Sequence, residues 1–349
     1  MAATTCAAPL PPACEGAGSG GLACLAAQID NSWARELRPD PEHAQYAPNR
    51  RAREVFGGHF VPVRPTPLRE PYLVAYSREV VETLGLSDAT ARSSAFASLL
   101  SGNVDGVPAF ASSWATPYAL SIYGSEMAPN GAGPRGYGYG DGRAISIGEV
   151  VVGGRRSELQ LKGAGTTPFC RNADGRAVLR SSTREFLASE AMHHLRVPTT
   201  RALALVASRL DTVQRPWYAP NTSSTVPCRD AAGATSCAAW RDAGECERNV
   251  GFMRERCTKT CGRCDDAHLH GGDLHRAERC AITTRVATSF ARVGHFELYG
   301  RRAKKGEAGA LGDLEALARH VLKRDFADID DEDAPLQRRL LAMAEASAA

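Results

Sequence analysis

The hydrophobic positions of this chain fall into a few readable segments. Residues 144–152 (AISIGEVVV) are short, apolar and β-branched, and they predict a strand. Residues 158–161 (ELQL) alternate and end at Lys162-Gly163-Ala164-Gly165, which predicts a second strand. Gly153-Gly154 between the two is a hairpin signal. Phe186, Leu187, Met192 and Leu195 recur at helical spacing, Ser182-Thr183-Arg184-Glu185 fits a capping box at the start, and Pro198 stops the helix. Residues 201–209 (RALALVASR) read as another strand and 281–286 as its returning neighbour. Residues 79–86 predict a short helix, 311–324 an amphipathic one and 337–349 a last one, after an acidic run at 325–333. The prolines at 62, 65, 67 and 71 break up residues 28–87, and 88–130 show no clear period. The expected fold class is α+β.

Composition narrows the picture. With 42 basic against 39 acidic residues, nothing in the charge suggests a dedicated nucleic-acid binder. No apolar run approaches the roughly 18 residues of a membrane span. Residues 1–27 are rich in Ala, Pro, Gly and Cys without Lys or Arg; they fit neither a secretory signal nor a transit peptide and are expected to be a disordered tail. Only five of the 42 basic residues are lysines, so Lys162, the only one before residue 259, becomes a candidate for chemistry that arginine does not do.

Four constellations could carry that chemistry. Gly131-x-Gly133-x-x-Gly136 matches a glycine-loop pattern inside a glycine-dense stretch, where the match is weak. Gly140-Asp141-Gly142-Arg143 offers backbone N–H groups and a guanidinium to an anion, or is an ordinary Asp-Gly turn. Lys162 on a strand with Glu185 on a helix is the pair that protein kinases use around nucleotide phosphates. Asp174-Gly175-Arg176, Arg180, Arg184, Arg285 and Arg292 are bland one by one.

The text around them is specific. Residues 140–150 (GDGRAISIGEV), 161–180 (LKGAGTTPFCRNADGRAVLR) and 181–206 strongly resemble the SelO family, protein adenylyltransferases with a pseudokinase fold. So do residues 30–37 (DNSWAREL), 65–68 (PTPL) and 285–298 (RVATSFARVGHFEL), so that the likeness runs from about 28 to about 325 with an insertion set aside. The resemblance implies a kinase-like N-lobe and a partial C-lobe, and transfer of AMP from ATP to Ser, Thr or Tyr hydroxyls of proteins, with the nucleotide flipped relative to ordinary kinases. Carried over by motif, the ATP-contacting residues are Gly140, Gly142, Arg143, Lys162, Asp174, Gly175, Arg285 and Arg292, with Glu185 as the Lys162 partner.

Two departures accompany the likeness. Residues 123–139 replace the family's Gly-His-Gln-Phe-Gly stretch, and the His-Gly-x-x-Asn-x-Asp-Asn type motif that carries the catalytic base and Mg²⁺ ligands does not occur in the 349 residues, nor does the family's C-terminal redox Cys/Sec motif. The expectation is therefore an ATP binder with no catalytic or metal-ligating residue assigned, whose C-lobe is cut short and which alone does not complete AMP transfer at a family-like rate. The alternative is a catalytically inactive nucleotide-binding or protein-interaction module.

Six of the eleven cysteines, 228, 237, 246, 257, 261 and 264, lie in one short stretch. A single C-x-x-C is poor support for zinc, and an even set with almost no core fits a disulfide framework, whose connectivity spacing leaves open. With Trp240, Gly244-Glu245-Cys246, Phe252-Met253 and Cys257-Thr-Lys-Thr-Cys261-Gly-Arg-Cys264, the stretch resembles a ShK-type toxin domain. That resemblance implies Cys228–Cys264, Cys237–Cys257 and Cys246–Cys261, and a protein-binding role. The expected organisation is a tail (1–27), a SelO-like region (28–214), a disulfide-rich insertion (215–266) with the sequon Asn221-Thr222-Ser223 just before its cysteine module, and the SelO-like continuation (267–349). The SelO likeness suggests mitochondria and the disulfides an oxidising compartment, so localisation stays open. Non-reducing peptide mapping is expected to recover three bridges within the cluster; six thiols would contradict the framework.

Overall fold

A computed structural model describes residues 20–118, 139–170, 173–216, 229–264 and 275–348. The chain divides into two compact units, Met1–Asp211 with Arg279–Ala349, and Thr212–Glu278.

The first unit opens with α1 (Leu22–Ala27) and α2 (Ser32–Glu36). Short strands β1 (Val61–Pro62) and β2 (Pro71–Tyr76) follow, then helices α3 (Arg78–Thr83), α4 (Asp88–Ala91) and α5 (Ser94–Leu100). Next come β3 (Trp114–Ala115), β4 (Pro117–Tyr118) and β5 (Tyr139–Gly140), and the long hairpin β6 (Ala144–Val152) and β7 (Arg155–Lys162). After β8 (Ala177–Val178), α6 (Leu179–His194) and β9 (Arg201–Pro216), the second unit contributes α7 (Ala234–Asp242), α8 (Glu245–Arg248) and α9 (Val250–Arg256). The chain returns as β10 (His275–Ala287) and ends in α10 (Val293–Lys304), α11 (Ala310–Asp325) and α12 (Leu336–Ala348).

Among the described residues the main sheet has eight strands in the order β1-β3-β6-β7-β10-β9-β2, with β8 added to β10. The pairs β1–β3, β3–β6, β6–β7, β7–β10, β8–β10 and β2–β9 are antiparallel. The predicted hairpin is present: Gly153 and Gly154 both have positive φ, +55° and +78°, the left-handed pair that a tight two-residue turn requires. Trp33, Phe60, Trp114, Leu298, Tyr299, Leu317 and Val321 form one core cluster, which joins α2, β3, α10 and α11. No described helix is long and apolar enough to cross a membrane.

Three expectations need correction. The disordered tail does not reach residue 27, because α1 buries Cys24 and Leu25 and Gly20 bridges to Leu86. The capping box at Ser182 does not form: α6 begins at Leu179, straight out of β8, and Thr183 Oγ1 donates to the Leu179 carbonyl at 2.8 Å instead. The apolar stripe of that helix is mostly exposed, with Leu187 at 61% and Leu195 at 72%, while Phe186 packs on Ala202, Leu205, Ala207 and Ala281.

In the second unit, Cys237–Cys257 and Cys246–Cys261 are bonded, and the three α-helices are short. Cys264 is disulfide-bonded too, whereas Cys228, the sequon and the Gly131/Gly133/Gly136 motif lie outside the described residues. The core of this unit is the half-cystines with Met253 and, beside them, Trp240. With so little apolar volume, covalent links replace a conventional core.

The chain opening is tied to the sheet through one fully buried carboxylate. Glu149 on β6 accepts from the Trp33 backbone N–H at 2.8 Å and from Ser32 Oγ at 3.1 Å. Arg324, at the end of α11, donates to the other oxygen at 2.7 Å and stacks over Trp33 at 5.4 Å. Arg324→Ala would leave the buried Glu149 only the more distant Arg156 guanidinium, 3.9 Å from Oε2, and unfolding in denaturant is expected to show a loss of about 3 kcal/mol; an unchanged midpoint would contradict this role.

Candidate functional site

The site grows from the polar face of β7. Strand geometry puts Glu158, Gln160 and Lys162 on one face and Leu159 and Leu161 on the other. Both faces are covered: Leu159 and Leu161 are fully buried, and Glu158 and Gln160 are 3% and 1% exposed. On β10, Thr283 lies opposite Lys162 and Arg285 opposite Gln160.

Lys162 Nζ meets Glu185 Oε2 at 2.9 Å. Because the cap does not form, Glu185 sits within α6 and faces the sheet, whereas Arg184 beside it is exposed. Arg285 Nη1 approaches the other Glu185 oxygen at 3.9 Å, its Nη2 donates to Gln160 Oε1, and its guanidinium lies 5.2 Å from the Phe290 ring. Arg292 precedes α10, stacks over Tyr118 at 4.8 Å and points Nη2 at Asp141 Oδ1, 3.8 Å away. Asp141 is held in turn by the backbone N–H and Oγ1 of Thr116, both at 2.7 Å.

The glycine motifs flank this cluster. Arg143 donates to the Arg176 carbonyl at 2.7 Å and accepts from Gly163 N at 2.9 Å, which ties the GDGR turn to the chain leaving Lys162. Gly165 N donates to the Gly175 carbonyl at 3.1 Å, and Asp174 Oδ1 accepts from Arg176 N at 2.9 Å. Gly175 has φ +70°, and a Cβ there would lie 2.2 Å from the Gly165 carbonyl carbon. A Cβ on Gly140 would lie 2.3 Å from the Phe169 ring. Packing alone therefore requires glycine at both positions. Gly142, at φ +62°, is in the left-handed region, and a Cβ there would meet only the Phe169 and Gly140 carbonyl oxygens at ordinary contact distance, 3.9 and 4.0 Å.

Burial pushes the Lys162 ammonium below the usual lysine range, and its bond to Glu185 opposes that. Burial pushes Asp141 up, against the pull of Arg292 and Thr116. Burial also works against the charge on Arg285. Even so, the Nε of Arg285 and of Arg292 are buried with no hydrogen-bond partner among the described residues. Two guanidiniums with unanswered N–H donors, beside a half-exposed lysine, suit an anion with several oxygens.

Lys162, Glu185, Arg285 and Arg292 were legible in advance, and they come together here. Asp141, Gln160 and His295 were missed as site residues. Asp141 lay in plain sight inside the GDGR motif but reads as a turn residue. His295 accepts the Arg292 backbone N–H on Nδ1 at 2.9 Å and so anchors the start of α10 beneath Arg292.

Fold and site together define a mixed α+β protein with cations and carboxylates gathered on a covered sheet face. The chain belongs to the SelO family: the family model described as protein adenylyltransferase SelO matches residues 44–233, just over half of the chain. A ShK domain-like model matches residues 227–264. Among curated proteins, the protein nucleotidyltransferase YdiU of Azoarcus sp. (strain BH72) is 39% identical over 308 residues, which cover 86% of this chain and 44% of that protein. The protein of the same name from Methylobacillus flagellatus is 37% identical over 304 residues, 86% of this chain and 44% of its own length. That of Xanthomonas euvesicatoria pv. vesicatoria is 47% identical over 193 residues, 54% of this chain and 34% of its own. The chain thus spans less than half the length of these relatives.

Burial holds His295 neutral, with its pKa lowered to about 3, so folding excludes a proton that the unfolded chain takes up near pH 6.5. The stability present above pH 6.5 is lost as pH falls towards 3, at up to about 1.4 kcal/mol per pH unit. Asparagine retains an acceptor and does not titrate. Denaturant unfolding at pH 7 and pH 5 is expected to show a smaller loss for His295→Asn than for wild type; equal losses would contradict this.

Proposed function

We propose that this chain binds ATP on the polar face of β7 and is the nucleotide-binding part of a SelO-type protein adenylyltransferase with a kinase-like arrangement of sheet and helix. The observation that carries the reading is the 2.9 Å Lys162–Glu185 pair beside two buried guanidiniums whose Nε–H groups find no acceptor among the described residues. Family membership supports the same ligand.

In this reading Glu185 orients Lys162, while Lys162, Arg285 and Arg292 bring positive charge to the phosphate chain from β7, β10 and the start of α10. In a covered site these charges are screened little by water, so they act strongly on the charge that develops as a phosphoryl bond breaks. Gly140, Gly142, Arg143, Asp174 and Gly175 form the surrounding loops. For the whole protein the proposed reaction joins an acceptor hydroxyl oxygen to the α-phosphorus of ATP. The bond to the β-phosphate oxygen breaks, pyrophosphate leaves, and the hydroxyl proton passes to a base. The acceptors are Ser, Thr or Tyr side chains of proteins.

Magnesium accompanies ATP in this family, but the described residues do not fit it. They contain no cluster of three or more His, Cys, Asp or Glu able to hold a metal. Asp141 and Glu185 already answer Thr116 and Lys162. No step is assigned to the metal, and the ShK-like unit is read as a protein-binding module.

Thermal unfolding with and without ATP tests the site. At a hundredfold excess over Kd, ATP is expected to add about 2.7 kcal/mol of stability to the wild-type chain. Lys162→Ala should remove most of that shift. Equal shifts in the two proteins, or none in either, would contradict the reading.

A further inference from the structure

The guanidinium of Arg285 is held from behind by a closed ring of contacts that no site motif includes. Ser146, Gln160 and Arg285 lie opposite one another across β6, β7 and β10. Arg285 Nη2 donates to Gln160 Oε1. Gln160 Nε2 donates to Ser146 Oγ at 3.3 Å, and Ser146 Oγ donates to Glu158 Oε1 at 2.6 Å. Glu158 Oε2 accepts from the Phe290 backbone N–H at 3.1 Å, and the Phe290 ring returns to the face of Arg285 at 5.2 Å.

The direction of this relay is fixed by chemistry. A guanidinium only donates, so the Gln160 carbonyl oxygen faces Arg285 and its amide nitrogen faces Ser146. The Ser146 oxygen then accepts from Gln160, and its hydroxyl donates to Glu158. Gln160 is 1% exposed and Ser146 fully buried, so water does not compete for either group.

The residue type matters as much as the geometry. A glutamate at 160 would hold the guanidinium at least as well, since charge-assisted bonds are the stronger ones. It would also cancel the charge of Arg285, in a sheet that already buries Glu149 and Glu158 opposite each other. An amide orients the guanidinium through one N–H and leaves its charge for a ligand. We propose that Gln160 is a positioning residue for Arg285, its neutral amide aiming at the nucleotide phosphates a guanidinium that meets the Glu185 carboxylate only at 3.9 Å. This rests on the ATP-site reading above.

Isothermal titration of the full 349-residue chain with ATP tests it, using wild type, Gln160→Glu, Gln160→Met and Lys162→Ala. Melting without ATP checks that each variant is folded, and Gln160→Met carries the test if Gln160→Glu is not. At pH 7.5, Gln160→Glu is expected to weaken ATP binding about tenfold and Gln160→Met about threefold or more. Relative to wild type at the same pH, the Gln160→Glu loss should shrink towards pH 6, as the introduced carboxyl takes up a proton. The Gln160→Met loss should not, and a packing defect would not produce that difference. Glu158 and Lys162 on β7, Glu149 on β6, Arg285 on β10, Glu185 on α6, Arg292 and Asp141 surround position 160 in every variant, so comparison with Gln160→Met at each pH removes what they contribute in common.

If ATP binding depends on Lys162 but both Gln160 variants bind like wild type, the positioning role is overturned while the site reading stands. If ATP does not bind, or binds regardless of Lys162, the site reading fails and the role of Gln160 falls with it.

Discussion

A strand that is buried on both faces, yet polar on one of them, constrains the rest of this molecule. On β7 the leucines face the core and Glu158, Gln160 and Lys162 face the other way, where they too are covered. Each such group carries a desolvation cost unless a partner answers it. The neighbouring elements supply those partners: Glu185 from α6 for Lys162, Arg285 from β10 for Gln160, and Ser146 from β6 with the Phe290 N–H for Glu158. Burial and the adjacent Glu149 raise Glu158 to about 7, which shows how hard this face works to hold a second carboxylate.

The same constraint explains the route of the chain ends. Glu149 needs donors that the sheet does not provide. They come from residues 32–33 near the start of the described chain and from Arg324 far along it. A polar requirement at the sheet thereby fixes α2 and α11, and α11 packs with α10, whose N-cap is Arg292. Site and scaffold are in this sense one network, and the surplus positive charge is left where the guanidinium Nε–H groups of Arg285 and Arg292 meet no acceptor among the described residues.

The sequence made the hairpin, the Lys162 strand, the flanking strands and the last two helices legible, because period-two apolar patterning and the Gly153-Gly154 turn are local signals. The polar face of β7 was not legible as a buried face. Alternation of the ELQLK kind reads as a half-solvated antiparallel strand, and much of the cover comes from β10 and Phe290, more than a hundred residues away. The start of α6 was misplaced because a hydroxyl three residues before a glutamate imitates a cap, while the pairing of Ala177–Val178 with β10 sets the true boundary. Asp141 and Gln160 each matter through a partner distant in sequence, Thr116 and Arg285, whereas His295 acts on Arg292 three residues before it, a local contact that no motif marked. The disulfide unit was the opposite case: two of the pairings implied by its ShK likeness are present in the structure.

The central claim is that uncompensated charge on this sheet face is there for a phosphate chain. Its most direct measurement compares the affinities of the wild-type chain for ATP and for AMP under the same salt conditions. Cations converging from three elements predict that ATP binds at least about tenfold more tightly than AMP, with the gap narrowing as salt rises. Equal affinities, or a gap indifferent to salt, would contradict the account.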